Sequence, residues 1–157
     1  MTIRINLFSV TLFSLLSACG GPGENATVPQ AEPAEASSTD IGGYVVYYSA
    51  QATADLPQEV AMAYGIARTR NSAMLNVSIQ RKDDRRAVAG DVEVEAVNLT
   101  GQLKNVTMRR IDEQDAIYYI GVTNVDNRET LIYNIDVTPE GSTEVASIRF
   151  KRQFYTD

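Results

Sequence analysis

Residues 116–138, AIYYIGVTNVDNRETLIYNIDVT, decide how the rest of the chain is read. They contain two long β-prone runs joined by a polar turn. In the second run Leu131, Tyr133, Ile135 and Val137 fall on one face, and Ile132, Asn134, Asp136 and Thr138 fall on the other. That period of two is the signature of a half-buried strand. The same grammar governs everything after residue 43, so the sequence predicts an all-β, antiparallel domain.

Working outward, Gly43–Ser49 (GYVVYYS) is a first strand with Tyr44, Val46 and Tyr48 on one face. Ala73–Gln80 is a second, with Ala73, Leu75, Val77 and Ile79 inward. A third carries Val88, Gly90, Val92, Val94 and Ala96 on one face before Val97 and Leu99 change parity, which predicts a β-bulge near Ala96. Leu103–Ile111 reads as a fourth, more polar strand, and Thr143–Tyr155 as the last. Pro139-Glu140-Gly141-Ser142 marks a turn. Between the first two strands lies the one helical signal. Asp55 is placed to cap it, Gln58 to close a capping box, and Gly65 to end it in the left-handed conformation. Leu56, Val60, Ala63 and Tyr64 share one side, which predicts a short plug across an open end or edge of the fold. Seven strands with turns every 8 to 15 residues predict an immunoglobulin-like or fibronectin-like sandwich over residues 43–157. A small closed barrel is the alternative.

Composition narrows function. A net charge of -6 and 22% charged residues provide no dominant basic surface for nucleic acid. There is no histidine and only one cysteine, Cys19, so neither a zinc site nor an intramolecular disulfide can be assembled. No cofactor and no metal are expected.

The N-terminus reads as an address. Arg4 precedes an apolar run from Ile5 to Leu16, too short to span a bilayer, which needs about 20 apolar residues. The run ends in Leu16-Ser17-Ala18-Cys19, which resembles the lipobox of bacterial lipoproteins. This resemblance implies a signal peptide over residues 1–18, lipid on Cys19, and, with Gly20 rather than aspartate following, attachment to the outer membrane on its periplasmic side. More than one acyl chain makes such an anchor stable, at roughly 0.8 kcal/mol per buried CH₂. Residues 19–42, with Pro22, Pro29 and Pro33 and only Val28 and Ile41 as large apolar side chains, are expected to form a disordered acidic linker. As a random coil it would span about 25 to 30 Å.

Several segments together resemble the proteobacterial domain-of-unknown-function family 4426. They are Gly43–Tyr48, Leu56–Ala61 with Ala63–Ile66, Asn98–Leu103 (NLTGQL), Ala116–Tyr119 and Phe154-Tyr155. The resemblance covers residues 43–157 and implies a periplasmic setting. The family has no assigned activity, so it carries over no catalytic residue.

The best functional expectation is a non-catalytic binding or adaptor module for an envelope protein or peptide, since sandwiches recognise partners through loops and edges. A structural accessory lipoprotein is one alternative. Another is an envelope hydrolase using carboxylate pairs such as Asp83 with Asp84 or Asp112 with Asp115. The long connection between the first two strands marks the expected site. Tyr64, Arg68 and Arg70 there could receive a carboxylate or peptide terminus. The lipobox makes a direct prediction: Cys19→Ala should move the protein from the membrane pellet to the soluble periplasmic fraction. Retention in the pellet after a high-salt wash would refute lipidation.

Overall fold

A computed structural model describes residues 38–157. The expected signal peptide, Cys19 and most of the expected linker lie outside the described residues. Nine antiparallel strands form two sheets. The strands are β1 (Ser38–Ile41), β2 (Tyr44–Ala52), β3 (Ser72–Arg81), β4 (Gly90–Asn98) and β5 (Leu103–Lys104), followed by β6 (Arg109–Asp112), β7 (Ile117–Asn124), β8 (Thr130–Pro139) and β9 (Ala146–Gln153). One sheet has the order β1-β2-β3-β7-β6 and the other β5-β4-β8-β9. The architecture is therefore a two-sheet sandwich with open edges rather than a closed barrel.

The core forms where the alternating patterns face each other. Val46, Tyr48 and Ala50 of β2, with Ala73, Leu75, Val77 and Ile79 of β3, line one inner face. Leu131, Tyr133, Ile135 and Val137 of β8 line the other, flanked by Ala96 of β4 and by Ile148 and Phe150 of β9. Tyr133 stacks on Phe150 with ring centroids 5.0 Å apart, and Tyr48 meets the same phenylalanine at 5.0 Å. Such ring pairs contribute about 0.5–1.5 kcal/mol beyond their burial. The Tyr133 hydroxyl is buried without a hydrogen-bond partner, and burial raises its pKa.

Four expectations need correction. First, there are nine strands, not seven. Residues 38–41, read as linker because they are polar and follow a proline-rich run, form an edge strand whose backbone pairs with β2 from Ser38↔Tyr47 to Ile41↔Tyr44. Backbone pairing at an edge does not require an apolar side-chain pattern. Second, the run 103–111 is not one strand. It divides into β5 and β6, which belong to different sheets. The intervening strap crosses the sandwich, and its Val106 and Met108 pack against the core, preserving the period-two pattern without the ladder. Gly121 of β7 permits this crossing: a Cβ there would lie 2.6 Å from both Met108 Sδ and Val106 Cγ1. Third, β4 carries no bulge. Its register with β8 runs unbroken from Gly90↔Pro139 to Asn98↔Leu131. Val97 lies on the outer face, and Leu99, beyond the strand, is exposed.

Fourth, the helix α1 (Gln58–Ala63) does not plug an end or edge. It lies on the outer face of the five-stranded sheet, where Leu56, Ala61 and Ile66 bury Met74 of β3 and Ile120 of β7. Asp55 belongs to a preceding 3₁₀ turn (Thr53–Asp55), and Pro57 occupies the N-cap position with no side-chain cap. The C-terminus does end at Gly65, at φ +62°. The Gly65 N–H donates to the Met62 carbonyl and the Ile66 N–H to the Ala61 carbonyl, a Schellman motif closed by the apolar Ile66–Ala61 pair.

A half-buried charged network ties one end of the sandwich. Lys104 Nζ contacts Glu129 Oε1 at 2.7 Å, and both side chains are largely covered, at 13% and 9% exposure. Glu129 also accepts from Asn98 Nδ2 and from the Asp126 N–H. Asn98 Oδ1 in turn accepts from the Thr100 and Gln102 N–H groups, fixing the β4–β5 turn. Burial alone would raise the Glu129 pKa, but the hydrogen bonds from Lys104, Asn98 and Asp126 outweigh it and hold it below the ordinary value.

Two predictions follow from this packing. Gly121→Ala should destabilise the domain by about 1–3 kcal/mol through overpacking against the strap, read as a lower urea midpoint at unchanged slope. An unchanged midpoint would show that the strap yields freely. Because the folded pKa of Glu129 is depressed, its contribution is fully present above the ordinary value of 4.5 and is lost as pH falls through the folded value. Glu129→Gln should therefore flatten the acid limb of the stability curve below pH of about 4.5. An acid limb as steep as the wild type's would remove Glu129 from this role.

Candidate functional site

The expected residues Tyr64, Arg68 and Arg70 do not converge on one cavity. The Tyr64 hydroxyl donates to Glu113 Oε1 at 2.5 Å, and the Arg109 guanidinium donates to the Tyr64 carbonyl. These contacts clamp the end of α1 to β6 and the β6–β7 turn. The bond to Glu113, with partial burial and the charge of the carboxylate, pushes the Tyr64 pKa up to about 12. Arg68 Nη2 donates to the Ala54 carbonyl at 2.7 Å, bracing the 3₁₀ turn. Beside it, the Thr53 hydroxyl donates to the Thr69 carbonyl and accepts from the Thr69 N–H, closing the base of the connection. Arg70 remains exposed. Two of the three side chains thus hold the connection in place, and one faces solvent.

The tyrosines divide as strand alternation requires. Tyr48 and Tyr119 enter the core, whereas Tyr47 and Tyr118 lie on the outer face of the same sheet. Three of the four paired carboxylates contact arginines. Asp83 accepts from Arg81 at 2.7 Å, a contact that brings its pKa down to about 2, and Asp84 lies 3.4 Å from Arg86. Asp112 accepts from Arg110.

A concavity lies at the end of the sandwich opposite the Glu129 network. It has a volume of about 420 Å³ and receives residues from both sheets. Gly90 and Asp91 come from the start of β4, Thr138 from the end of β8, Glu140 and Ser142 from the following turn, and Arg110 from β6. The fold builds this cleft by local means. Glu140 N–H donates to the Ala89 carbonyl, holding the β8–β9 turn against the start of β4. The Gly90 N–H donates to the Tyr119 hydroxyl at 2.8 Å, linking the two sheets beneath. Arg110 is oriented by Asp112, which accepts from both Nε and Nη2 at 2.9 and 2.6 Å. That fork leaves the Nη1 hydrogens for another acceptor. The cleft is therefore lined by a residue with a guanidinium, two with carboxylates, two with hydroxyls, and strand-end backbone.

Sequence reading identified the Pro139–Ser142 turn but not the site around it. Arg110 stands 29 to 32 residues away in the chain, in a segment read as an uninterrupted strand, and its approach depends on the crossing of the strap. A second concavity of about 400 Å³ lies between Arg85, Arg86 and the Glu113–Ile117 segment, where both signs of charge also meet.

Comparison with known proteins addresses the domain as a whole. The profile of the domain-of-unknown-function family DUF4426 matches residues 38–157, so its match begins where β1 begins. The crystal structure of a DUF4426 family protein from Pseudomonas aeruginosa PAO1 is similar to this chain at 28% identity and a TM-score of 0.66. The alignment covers 76% of this chain and 94% of that one. No curated protein sequence matches the chain. With the profile spanning the whole described sandwich and a solved relative sharing its fold, the chain belongs to the DUF4426 family.

Proposed function

We propose that this protein is a lipoprotein of the cell envelope, held to the outer membrane in the periplasm through Cys19, and that its sandwich is a non-catalytic module binding a peptide segment of an envelope partner. The strand orders β2-β3-β7-β6 and β5-β4-β8-β9 support an immunoglobulin-like reading, since they correspond to the A-B-E-D and C′-C-F-G arrangement of that fold with β1 added. Fold alone does not establish function. The observation that carries the proposal is the cleft around Arg110.

A peptide presents carboxylates, backbone carbonyls and N–H groups. Arg110, pre-oriented by Asp112, is suited to a carboxylate or carbonyl, while Asp91 and Glu140 are suited to N–H groups or an ammonium. Because the Arg110–Asp112 pair is exposed, it contributes little to folding. Its placement is therefore better explained by recognition than by stability.

The test is capture in cells by a photo-crosslinking residue at Ser142 of the full-length protein. Arg110→Ala should lower capture of a defined partner roughly tenfold, the effect of losing about 1.4 kcal/mol of binding, with thermal stability nearly unchanged. Unchanged capture, or loss only in proportion to unfolding, would refute the cleft as the binding site.

A further inference from the structure

The outer face of the four-stranded sheet is graded along its strands. Register places Leu103, Val97, Ile132 and Lys151 side by side across β5, β4, β8 and β9. The next outward row is Glu95, Asn134 and Arg149, then Glu93, Asp136 and Ser147, then Asp91 and Thr138. One end is thus apolar with cations, and the other is acidic. At the apolar end the β4–β5 turn projects Leu99 and Leu103, exposed at 69% and 66%, and Tyr155 nearby in the chain's last residues is 63% exposed. Large aliphatic side chains at a hairpin tip are not left in water for the sake of folding. Asn98 and the Lys104–Glu129 pair nonetheless hold that tip in a defined shape. Beside the apolar row, Ile132, Arg149 and Lys151 line a shallow depression of about 250 Å³.

The direction of β1 and the length of chain before it bear on which surface this end meets. β1 runs antiparallel to β2 from Ser38↔Tyr47 to Ile41↔Tyr44, so along these residues the chain heads away from the end that carries the Leu99–Leu103 turn and toward the Arg110 cleft. Residues 20–37 can reach at most about 60–65 Å when fully extended, so an anchor on Cys19 keeps the domain within that distance of a bilayer. Confinement of this kind turns a weak contact into an effectively intramolecular one. The same end carries exposed Arg70 before β3 and Arg128 in the β7–β8 turn, with Asp126 and Asp157 among them. The acidic rows, Glu93, Asp136 and Asp91, lie away from it.

We infer that the Leu99–Leu103 turn and its flanking cations rest on a bilayer surface bearing anionic phospholipid headgroups. The leucines enter the interfacial region and Arg70, Arg128 and Arg149 meet phosphates. The inference builds on the reading that Cys19 is lipidated, and it assigns the domain an orientation. The Arg110 cleft, at the opposite end of the strands, points away from the membrane toward the periplasmic space.

The experiment uses the full-length protein produced in cells, purified from membranes and reconstituted into vesicles of phosphatidylethanolamine and phosphatidylglycerol. Thr100→Cys and, as a control at the other end, Thr143→Cys are each labelled with an environment-sensitive fluorophore. A lipidated Cys19 has no free thiol to take the label. Quenching by brominated lipid should be several-fold stronger at position 100 than at position 143. Adding Leu99→Glu with Leu103→Glu should bring quenching at position 100 down to the control level while the protein still floats with the vesicles. Equal quenching at both positions, or quenching untouched by the double substitution, overturns the inference while leaving the anchor intact. Shielding at position 100 that follows protein concentration rather than lipid would identify a second copy as the occupant and also overturn it. A protein that takes a second label at Cys19 or fails to float overturns the anchoring reading, and this inference with it.

Discussion

The stack of Tyr133 on Phe150, with Tyr48 against the same ring, is the contact on which the sandwich depends. It joins the middle strand of one sheet to that sheet's edge strand and to the facing sheet, in a chain with no disulfide available to do so. The fully buried Tyr133 hydroxyl has no partner, a cost of about 1–3 kcal/mol. The ring occupies the core well enough for that cost to be carried: it is fully buried in one cluster with aliphatic side chains from β3, β4 and β8.

From this core outward, the elements that look peripheral are those that shape the surface. The strap between β5 and β6 passes over Gly121, and only that crossing brings Arg110 opposite the ends of β4 and β8. The 3₁₀ turn, α1 and the loop after it cover Met74 and Ile120, giving the five-stranded sheet a second small core on its outer side. Tyr64 and Arg68 serve that cover, one through Glu113 and the other through the Ala54 carbonyl. An arginine and a tyrosine in a long connection resemble a binding site in sequence because the same hydrogen-bonding capacity serves loop architecture.

The two ends of the sandwich differ in chemistry. One gathers exposed leucines, a tyrosine and cations around a turn held by the Glu129 network, and the other opens a cleft of mixed charge. β1 runs alongside β2 in the direction from the first end toward the second. Under the proposed anchoring, that polarity assigns one end to lipid and the other to a partner.

What the sequence by itself determined is the set of side chains that face inward. Val46, Leu75, Val77, Ile79, Leu131, Ile135 and Val137 are all buried, as strand periodicity requires, and Gly65 ends the helix where its freedom at positive φ is needed. These features depend on each residue and its near neighbours, so a local pattern reveals them. Sheet membership does not. Val106 and Met108 alternate like strand residues whether the chain continues a ladder or leaves it, and Ser38–Ile41 pairs through backbone groups that every residue carries. The position of α1 on a sheet face rather than at an end, the unbroken register through Ala96 and the meeting of Arg110 with Asp91 and Glu140 likewise rest on contacts between distant segments. They are set by tertiary contacts, because long-range pairing selects among arrangements that share the same local alternation.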